Sequence, residues 1–248
     1  MPQTIDFRIR RQDSPQAPAR WEEFSLPYRP NMNVISCLME IQRNPVTRDG
    51  KRTSPPVWDC NCLEEVCGAC SMVINGRVRQ ACSALIDPLA QPIVLEPMSK
   101  FPLMRDLMVD RSRMFDALKR VHAWVPIDGT HALGPGPKVD PHLQQVAYAF
   151  ARCMTCGCCL EACPQVNARS PFVGAFVFGQ VDLFNMHPTG GMYAAERLEA
   201  VMGIGGIADC ANAQNCAAVC PKEIPLTEAI ADVGRQTTRY MLRRFFTR

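Results

Sequence analysis

The sequence predicts an α+β chain of two domains: a small mixed α/β domain over residues 1–109, then an all-helical domain over residues 110–248. Two observations carry this. Up to about residue 105 the apolar residues alternate with the two-residue period of strands and are broken by hairpin turns, and beyond it they recur at helical intervals. The second is the placement of the 14 cysteines: five lie between Cys60 and Cys82, five between Cys153 and Cys163, three between Cys210 and Cys220, and Cys37 stands apart. The length of 248 residues suits one large domain or two ordinary ones, and 47% apolar with 21% charged residues is a globular composition, not a disordered or fibrous one.

Thr4 to Arg11 ("TIDFRIRR") alternates as a strand, and Trp21 to Tyr28 ("WEEFSLPY") reads as its hairpin partner after a polar loop. Asn33 to Gln42 places Val34, Leu38 and Ile41 at helical spacing, with Asn33 as N-cap and Pro45 beyond the end; Cys37 inside it reads as a small buried hydrophobe. Ser71 to Ile74, Asn75-Gly76 and Val78 to Cys82 form a hairpin signature, because Asn-Gly readily takes the positive φ angles of a type I′ turn. Ile93 to Glu96 adds a further short strand. Together they predict a small sheet that holds a long cysteine loop at its edge.

Helices follow. Phe115, Leu118, His122 and Val125 share one helical face, and Pro126 to Pro141 ("PIDGTHALGPGPKVDP") is rich in turn residues. Leu143, Val146, Ala147 and Phe150 mark a helix running into Cys153. Leu226, Ile230, Val233 and Tyr240 mark a last helix, with Pro225 suited to its first turn. "PFVGAFVFGQV", Pro171 to Val181, is the most apolar stretch; it is too short to span a bilayer and reads as a buried core segment. "GIGGIAD", Gly203 to Asp209, follows a helix rather than a strand, so it reads as a turn and not as a dinucleotide loop.

A formal charge of +3 with no basic block argues against a nucleic-acid partner. "MPQTIDFRIRRQD" has no apolar core of a secretory signal, so Arg10-Arg11 is not read as an export signal and a reducing compartment is expected. Clustered thiols there are more often metal ligands than disulfides.

The first group gives Cys62-x4-Cys67-x2-Cys70-x11-Cys82, the plant-type ferredoxin spacing for a 2Fe-2S cluster, with Gly68 letting backbone amides approach the sulfides. Four thiolates also suit zinc, but zinc sites usually pair two short knuckles, whereas three ligands lie on this one loop. Cys60 fits no position. The second group, Cys153-x2-Cys156-x2-Cys159-x3-Cys163-Pro164, matches the bacterial ferredoxin run, whose fourth cysteine serves the other cluster of a pair. Cys158 breaks the spacing and reads as a non-ligand. The third group, Cys210-x2-Ala213-x2-Cys216-x3-Cys220-Pro221, supplies that other cluster with Ala213 where a thiol would stand. Cys163, Cys210 and Cys216 therefore predict a 3Fe-4S cluster, and Cys220 crosses back to complete a 4Fe-4S cluster with Cys153, Cys156 and Cys159. The fold expected is a plant-ferredoxin-like β-grasp domain followed by an all-α bacterial-ferredoxin-like domain. Cys37, Cys60 and Cys158 are left over. His122, His131, His142 and His187 are scattered, and no residue set for chemistry on an organic substrate stands beside the cysteines.

Three one-electron centres in series suggest a conductor whose donor and acceptor sit on other chains. The ordered set "CLEEVCGAC", "CMTCGCCLEACP" and "CANAQNCAAVCP", with "NPVTRDG", "FNMHPTGG" and "CPKEIPLTEAI", resembles the iron-sulfur subunit of the succinate dehydrogenase and fumarate reductase family over nearly the whole chain. "NMNVISCLMEI" and "RLEAVMGIGGIADC" resemble its dihaem-anchor, menaquinone-linked branch. The resemblance implies a flavoprotein partner that oxidises succinate at a covalent FAD and electron passage through 2Fe-2S, 4Fe-4S and 3Fe-4S clusters. It also implies a membrane-anchor cytochrome b that reduces quinone, with this chain held peripherally on the cytoplasmic side of the cell membrane. In the ubiquinone-linked branch, a tryptophan after the second group's Cys-Pro and a histidine after the third group's first cysteine help form the quinone pocket. This chain has Ala168 and Ala211 there, so no quinone-binding residue is assigned. A fumarate reductase subunit running in the opposite direction is the near alternative, and a structural zinc or redox-sensing protein the distant one. Glu64 and Glu65 read as a solvated face; Arg239, Arg243, Arg244 and Arg248, interleaved with Phe245 and Phe246, suit anionic headgroups, an anchor, or the helix's own dipole.

Overall fold

The computed structural model describes residues 4–125 and 138–247. Most of the turn-rich stretch after Val125, together with His131 and Arg248, lies outside the described residues. The chain divides into two compact units, the first formed by the chain up to Arg111 together with Met154–Glu161, the second by Ser112–Cys153 and Ala162–Arg248.

In the first unit, β1 (Thr4–Arg11) pairs antiparallel with β2 (Arg20–Pro27), as the alternation predicts. β3 (Ser71–Ile74), β4 (Arg77–Gln80) and β5 (Ile93–Glu96) complete a sheet of order β2-β1-β5-β3-β4, in which β1 and β5 are parallel. Helix α1 (Val34–Arg43) starts at Asn33, whose Oδ1 accepts from the Ser36 N–H at 2.8 Å while Ser36 Oγ accepts from the Asn33 N–H at 3.0 Å. Every second residue of β1 (Ile5, Phe7, Ile9) meets Val34, Leu38 and Ile41 of α1, with Met72, Ile74, Ile93 and Leu95. Cys37 is buried in this core, as read. Asn75 and Gly76 take φ of 48° and 75° in the β3–β4 turn, the left-handed pair that the dipeptide promised.

A third small hairpin, β6 (Leu103–Arg105) and β7 (Met108–Val109), has no counterpart in the sequence reading. Its strands are too short to show a period. Asp106 in its turn fixes it, donating its N–H to Gln12 O while its carboxylate receives Arg11.

The second unit is helical: α2 (Ser112–Arg120), α3 (Pro141–Ala151), α5 (Ala175–Met186), α6 (Ala194–Met202), the short α7 (Asn215–Ala218) and α8 (Leu226–Phe246). The one-turn α4 (Cys158–Glu161) belongs to the first unit. α2 differs from expectation: it ends at Arg120, His122 takes φ 50°, and Met114 rather than Phe115 is buried. A face chosen from large apolar residues misled here because burial follows neighbouring elements, not side-chain size. α5 buries Phe176, Val177, Phe178 and Val181, matching the core segment read from sequence, and packs on α3 and α8. α8 buries Leu226, Ala229, Val233 and Thr237 along one stripe. Arg197 of α6 is buried and ties loops together, donating to His122 O, Trp124 O and Gly190 O at 2.7–2.9 Å. Among the described residues no helix is long and apolar enough to cross a membrane.

Candidate metal centres

The structure draws Cys62, Cys67, Cys70 and Cys82 together at the sheet edge. Leu63, Glu65 and Gly68 take φ of 64°, 55° and 70°, and these left-handed turns aim successive backbone N–H groups inward. Cys62 Sγ accepts from the amides of Glu64, Val66 and Cys67 at 3.3–3.4 Å, Cys82 Sγ from Glu65 at 3.3 Å, and Cys67 Sγ from Ala69 at 3.5 Å. Those amides, Glu64's first, hold the Cys62 thiol down to about 7, so this sulfur is prepared for the thiolate that a metal needs. Cys70, at the threshold of β3, is only 3% exposed, and burial pushes its thiol up to about 12. Cys82 follows β4 and is fixed from behind, because the N-cap Asn33 also donates through Nδ2 to Cys82 O at 2.9 Å. The helix cap thus serves the fourth candidate ligand. Glu64 and Glu65 act here through their N–H groups, Glu64 exposed and Glu65 half-buried. Cys60 is exposed at the start of the loop.

The second group continues the first unit. A Cβ on Gly68 would lie 2.8 Å from Met154 O and 2.9 Å from Cys156 Cα, so the two cysteine loops touch where only glycine fits. Ser71 Oγ donates to Cys156 O at 2.7 Å, and Glu161 closes the segment by accepting from the Ser99 N–H and Oγ and the Lys100 N–H at 2.7–2.9 Å. Thr155 and Gly157 supply the positive-φ turns. Cys158 and Cys159 sit on α4, with Cys158 fully buried. The Cys156 thiol is pushed well up, first by the neighbouring Cys158 and then by burial. Cys153 and Cys220 belong to the second unit; the Cys153 N–H donates to Phe150 O at 3.2 Å, and that of Cys220 to Ala217 O at 3.3 Å.

In the second unit, Cys163, Cys210 and Cys216 line one cavity, and Ala213 lines it with them. Asn212 and Gln214 take φ of 53° and 61°, curling the loop around that space, and Asn215 Nδ2 donates to Ala162 O at 3.0 Å beside Cys163. Burial raises the Cys216 thiol, and the Cys163 and Cys210 sulfurs raise it further. Three thiols and a methyl therefore share this wall. The donor set, soft sulfur ringed by amides in left-handed turns, suits iron-sulfur chemistry.

The chain matches the 2Fe-2S iron-sulfur cluster binding domain family over residues 6–116 and the 4Fe-4S dicluster domain family over residues 149–224. It is 61% identical to the succinate dehydrogenase iron-sulfur subunit of Bacillus subtilis, across 98% of this chain and 96% of that one. This chain belongs to the succinate dehydrogenase iron-sulfur subunit family. It is accordingly a subunit of an oxidoreductase, with 2Fe-2S and 4Fe-4S cofactors. The fumarate reductase iron-sulfur subunit of Wolinella succinogenes is more distant, 28% identical over 95% of this chain and 98% of that one. A chain of the Mycobacterium smegmatis Sdh1 complex in its apo form shares the fold, with a TM-score of 0.78, 21% identity and coverage of 95% and 96%. A sheet unit carrying the first cysteine loop and a helical unit carrying the third group are what the α+β expectation required.

Sequence reasoning about this family member missed the supports of the cysteines: Ser71, Gln80, Glu161 and the second duty of Asn33. None carries a spacing signature. Only the capping role of Asn33 was legible, because capping is local.

Proposed function

We propose that this chain conducts electrons, one at a time, from the FAD of a flavoprotein subunit to a haem and quinone site in a membrane anchor. Cys62, Cys67, Cys70 and Cys82 would hold a 2Fe-2S cluster, Cys153, Cys156, Cys159 and Cys220 a 4Fe-4S cluster, and Cys163, Cys210 and Cys216 a 3Fe-4S cluster. The domains are divided accordingly, residues 1–109 carrying the first cluster and residues 110–248 the other two. Each cluster would supply a site that stores and releases a single electron. The chain's own part is to deprotonate and orient sulfur, to point amides at it, and to bury it. The observation that carries the reading is the cavity where Cys163, Cys210 and Cys216 meet Ala213, since a methyl cannot bind a fourth iron.

The relative named for succinate dehydrogenase favours succinate oxidation as the direction, with the flavoprotein as electron donor and the anchor as acceptor. The resemblance to the dihaem branch favours menaquinone and a cytochrome b anchor, with the chain peripheral on the cytoplasmic face of the cell membrane. The end of α8 supports an anchor contact: Met241, Leu242, Phe245 and Phe246 are exposed beside Arg239, Arg243 and Arg244. The matches to a 2Fe-2S and a 4Fe-4S cluster domain family favour iron-sulfur clusters over zinc.

The test is purification of the native complex with iron analysis, optical spectra and EPR. About nine irons per chain, an EPR signal from the oxidised three-iron centre before any reductant is added, and accompanying flavin and haem are expected. Clearly fewer irons, or a colourless protein, would overturn the assignment. Faster fumarate reduction than succinate oxidation in the same complex would reverse the direction.

A further inference from the structure

Gln80, the last residue of β4, is fully buried, and its side-chain amide stands between the two cysteine loops of the first unit. Oε1 accepts from the Cys70 thiol at 3.4 Å, and Nε2 donates to Ser71 Oγ at 2.7 Å and to Cys158 Sγ at 3.5 Å. Ser71 Oγ passes its own hydrogen to Cys156 O at 2.7 Å or to Gly68 O at 3.1 Å. With Cys70 as a thiol, every hydrogen in this group has an acceptor.

Iron ligation changes one member. Cys70 must lose its S–H to bind metal, and a carbonyl oxygen 3.4 Å from a thiolate sulfur is then repelled, in a place where water cannot intervene. A glutamine amide has a remedy, because its two ends are nearly the same size and exchange places by a half-turn about the last bond. After that turn Nε2 faces Cys70 Sγ and Oε1 takes the place 2.7 Å from Ser71 Oγ, so Ser71 turns its hydrogen from Cys156 O to Oε1.

We propose that Gln80 is a positioning residue for electron transfer, donating its side-chain N–H to the Cys70 sulfur in the loaded protein and so raising the potential of the first cluster. A hydrogen bond to a ligand sulfur stabilises the reduced, more negative state and moves the potential upward. The same amide stands beside Ser71 and Cys158, so it also fixes the segment between the two loops. The inference rests on the cluster assignment proposed above.

The experiment is an EPR-monitored redox titration of the native complex carrying Gln80→Met, which keeps length and bulk but cannot donate. The first cluster should retain its signal in the reduced protein and titrate at a lower potential, while the oxidised three-iron signal is unchanged. An unshifted potential with the cluster intact would overturn the proposal. Should the variant lose the cluster, the unaltered complex decides: with glutamine labelled by 15N at the side chain only, pulsed EPR of the reduced first cluster should show a 15N coupling, and its absence overturns the proposal. If the unaltered complex shows no 2Fe-2S signal at all, the functional reading itself has failed, which neither arm can be mistaken for.

Discussion

The Arg11 guanidinium donates through Nε to Asp106 Oδ1 at 3.0 Å, with neither side chain exposed to solvent. The pair is a hub: Asp106 also accepts from the Gln12 and Val57 N–H groups at 2.9 and 3.0 Å, and Arg11 donates to Ser54 O at 3.0 Å and to Glu22. It thereby pins both ends of Ser54–Val57, the segment that leads into the first cysteine loop. Removing one partner of a buried pair strands the other, at a cost of about 3–5 kcal/mol. Asp106→Ala should lower the unfolding temperature and abolish the 2Fe-2S EPR signal, and Asp106→Asn, which keeps the acceptor oxygen, should do less harm. Equal, negligible effects of both would show the pair to be dispensable.

Gly68 and Gly76 both take positive φ, but only Gly68 lies against backbone, whereas a Cβ on Gly76 meets nothing within 4 Å. Gly76→Ala should cost only the left-handed strain of about 1–2 kcal/mol. Gly68→Ala adds a collision with Met154 O and Cys156, so it should unfold at a distinctly lower temperature and lose the first cluster's EPR signal. Matching losses in the two variants would mean that the contact between the cysteine loops carries no weight.

Ala213 shares its cavity wall with three thiols. Ala213→Cys supplies the missing sulfur and should convert the oxidised three-iron EPR signal into a four-iron centre, detected after reduction. Persistence of the three-iron signal would assign the exclusion of the fourth iron to the backbone of the loop.

Cys37, Cys60 and Cys158 stand outside the assigned ligand sets. Cys37 is packed in the apolar core, where burial pushes its thiol up to about 12. Serine at each of the three positions should leave iron content and all EPR signals unchanged, with a stability cost at Cys37 of about 1–3 kcal/mol for burying a hydroxyl. Loss of a cluster in any one of them would move that cysteine into a ligand set.

Asp182 of α5 is 3% exposed and accepts from Gln236 Nε2 at 2.8 Å. Burial raises its carboxyl above the ordinary 3.8, with the Gln236 hydrogen bond opposing. Because the folded value is the higher one, the unfolded chain releases this proton first, and stability is lost as pH rises from about 3.8 through the folded value. Asp182→Asn, uncharged throughout and able to keep the Gln236 bond, should unfold at a higher temperature than the parent near pH 7, the gain narrowing as pH falls toward 3.8. A variant less stable at pH 7 would refute the sign.

The strands β1 to β5, the α1 cap and the Asn-Gly turn were legible in the sequence because each depends on neighbours within a few residues: alternation, a capping side chain, a dipeptide able to take positive φ. The cysteine spacings were legible for a similar reason, since a loop of fixed length can set only certain sulfurs around one cluster. The β6–β7 hairpin, the true face of α2, the Arg11–Asp106 hub, and the Ser71 and Gln80 contacts with the second cysteine group were not. Arg11 and Asp106 are 95 residues apart and Ser71 and Cys156 are 85 apart, and no local pattern records such a meeting. By itself the sequence determined which sulfurs are available and how they are grouped, because ligand chemistry is written in residue type and interval. Only the tertiary structure decided which amides point at those sulfurs and which buried side chains hold them still, because hydrogen bonds between distant segments exist only once the core has brought the segments together.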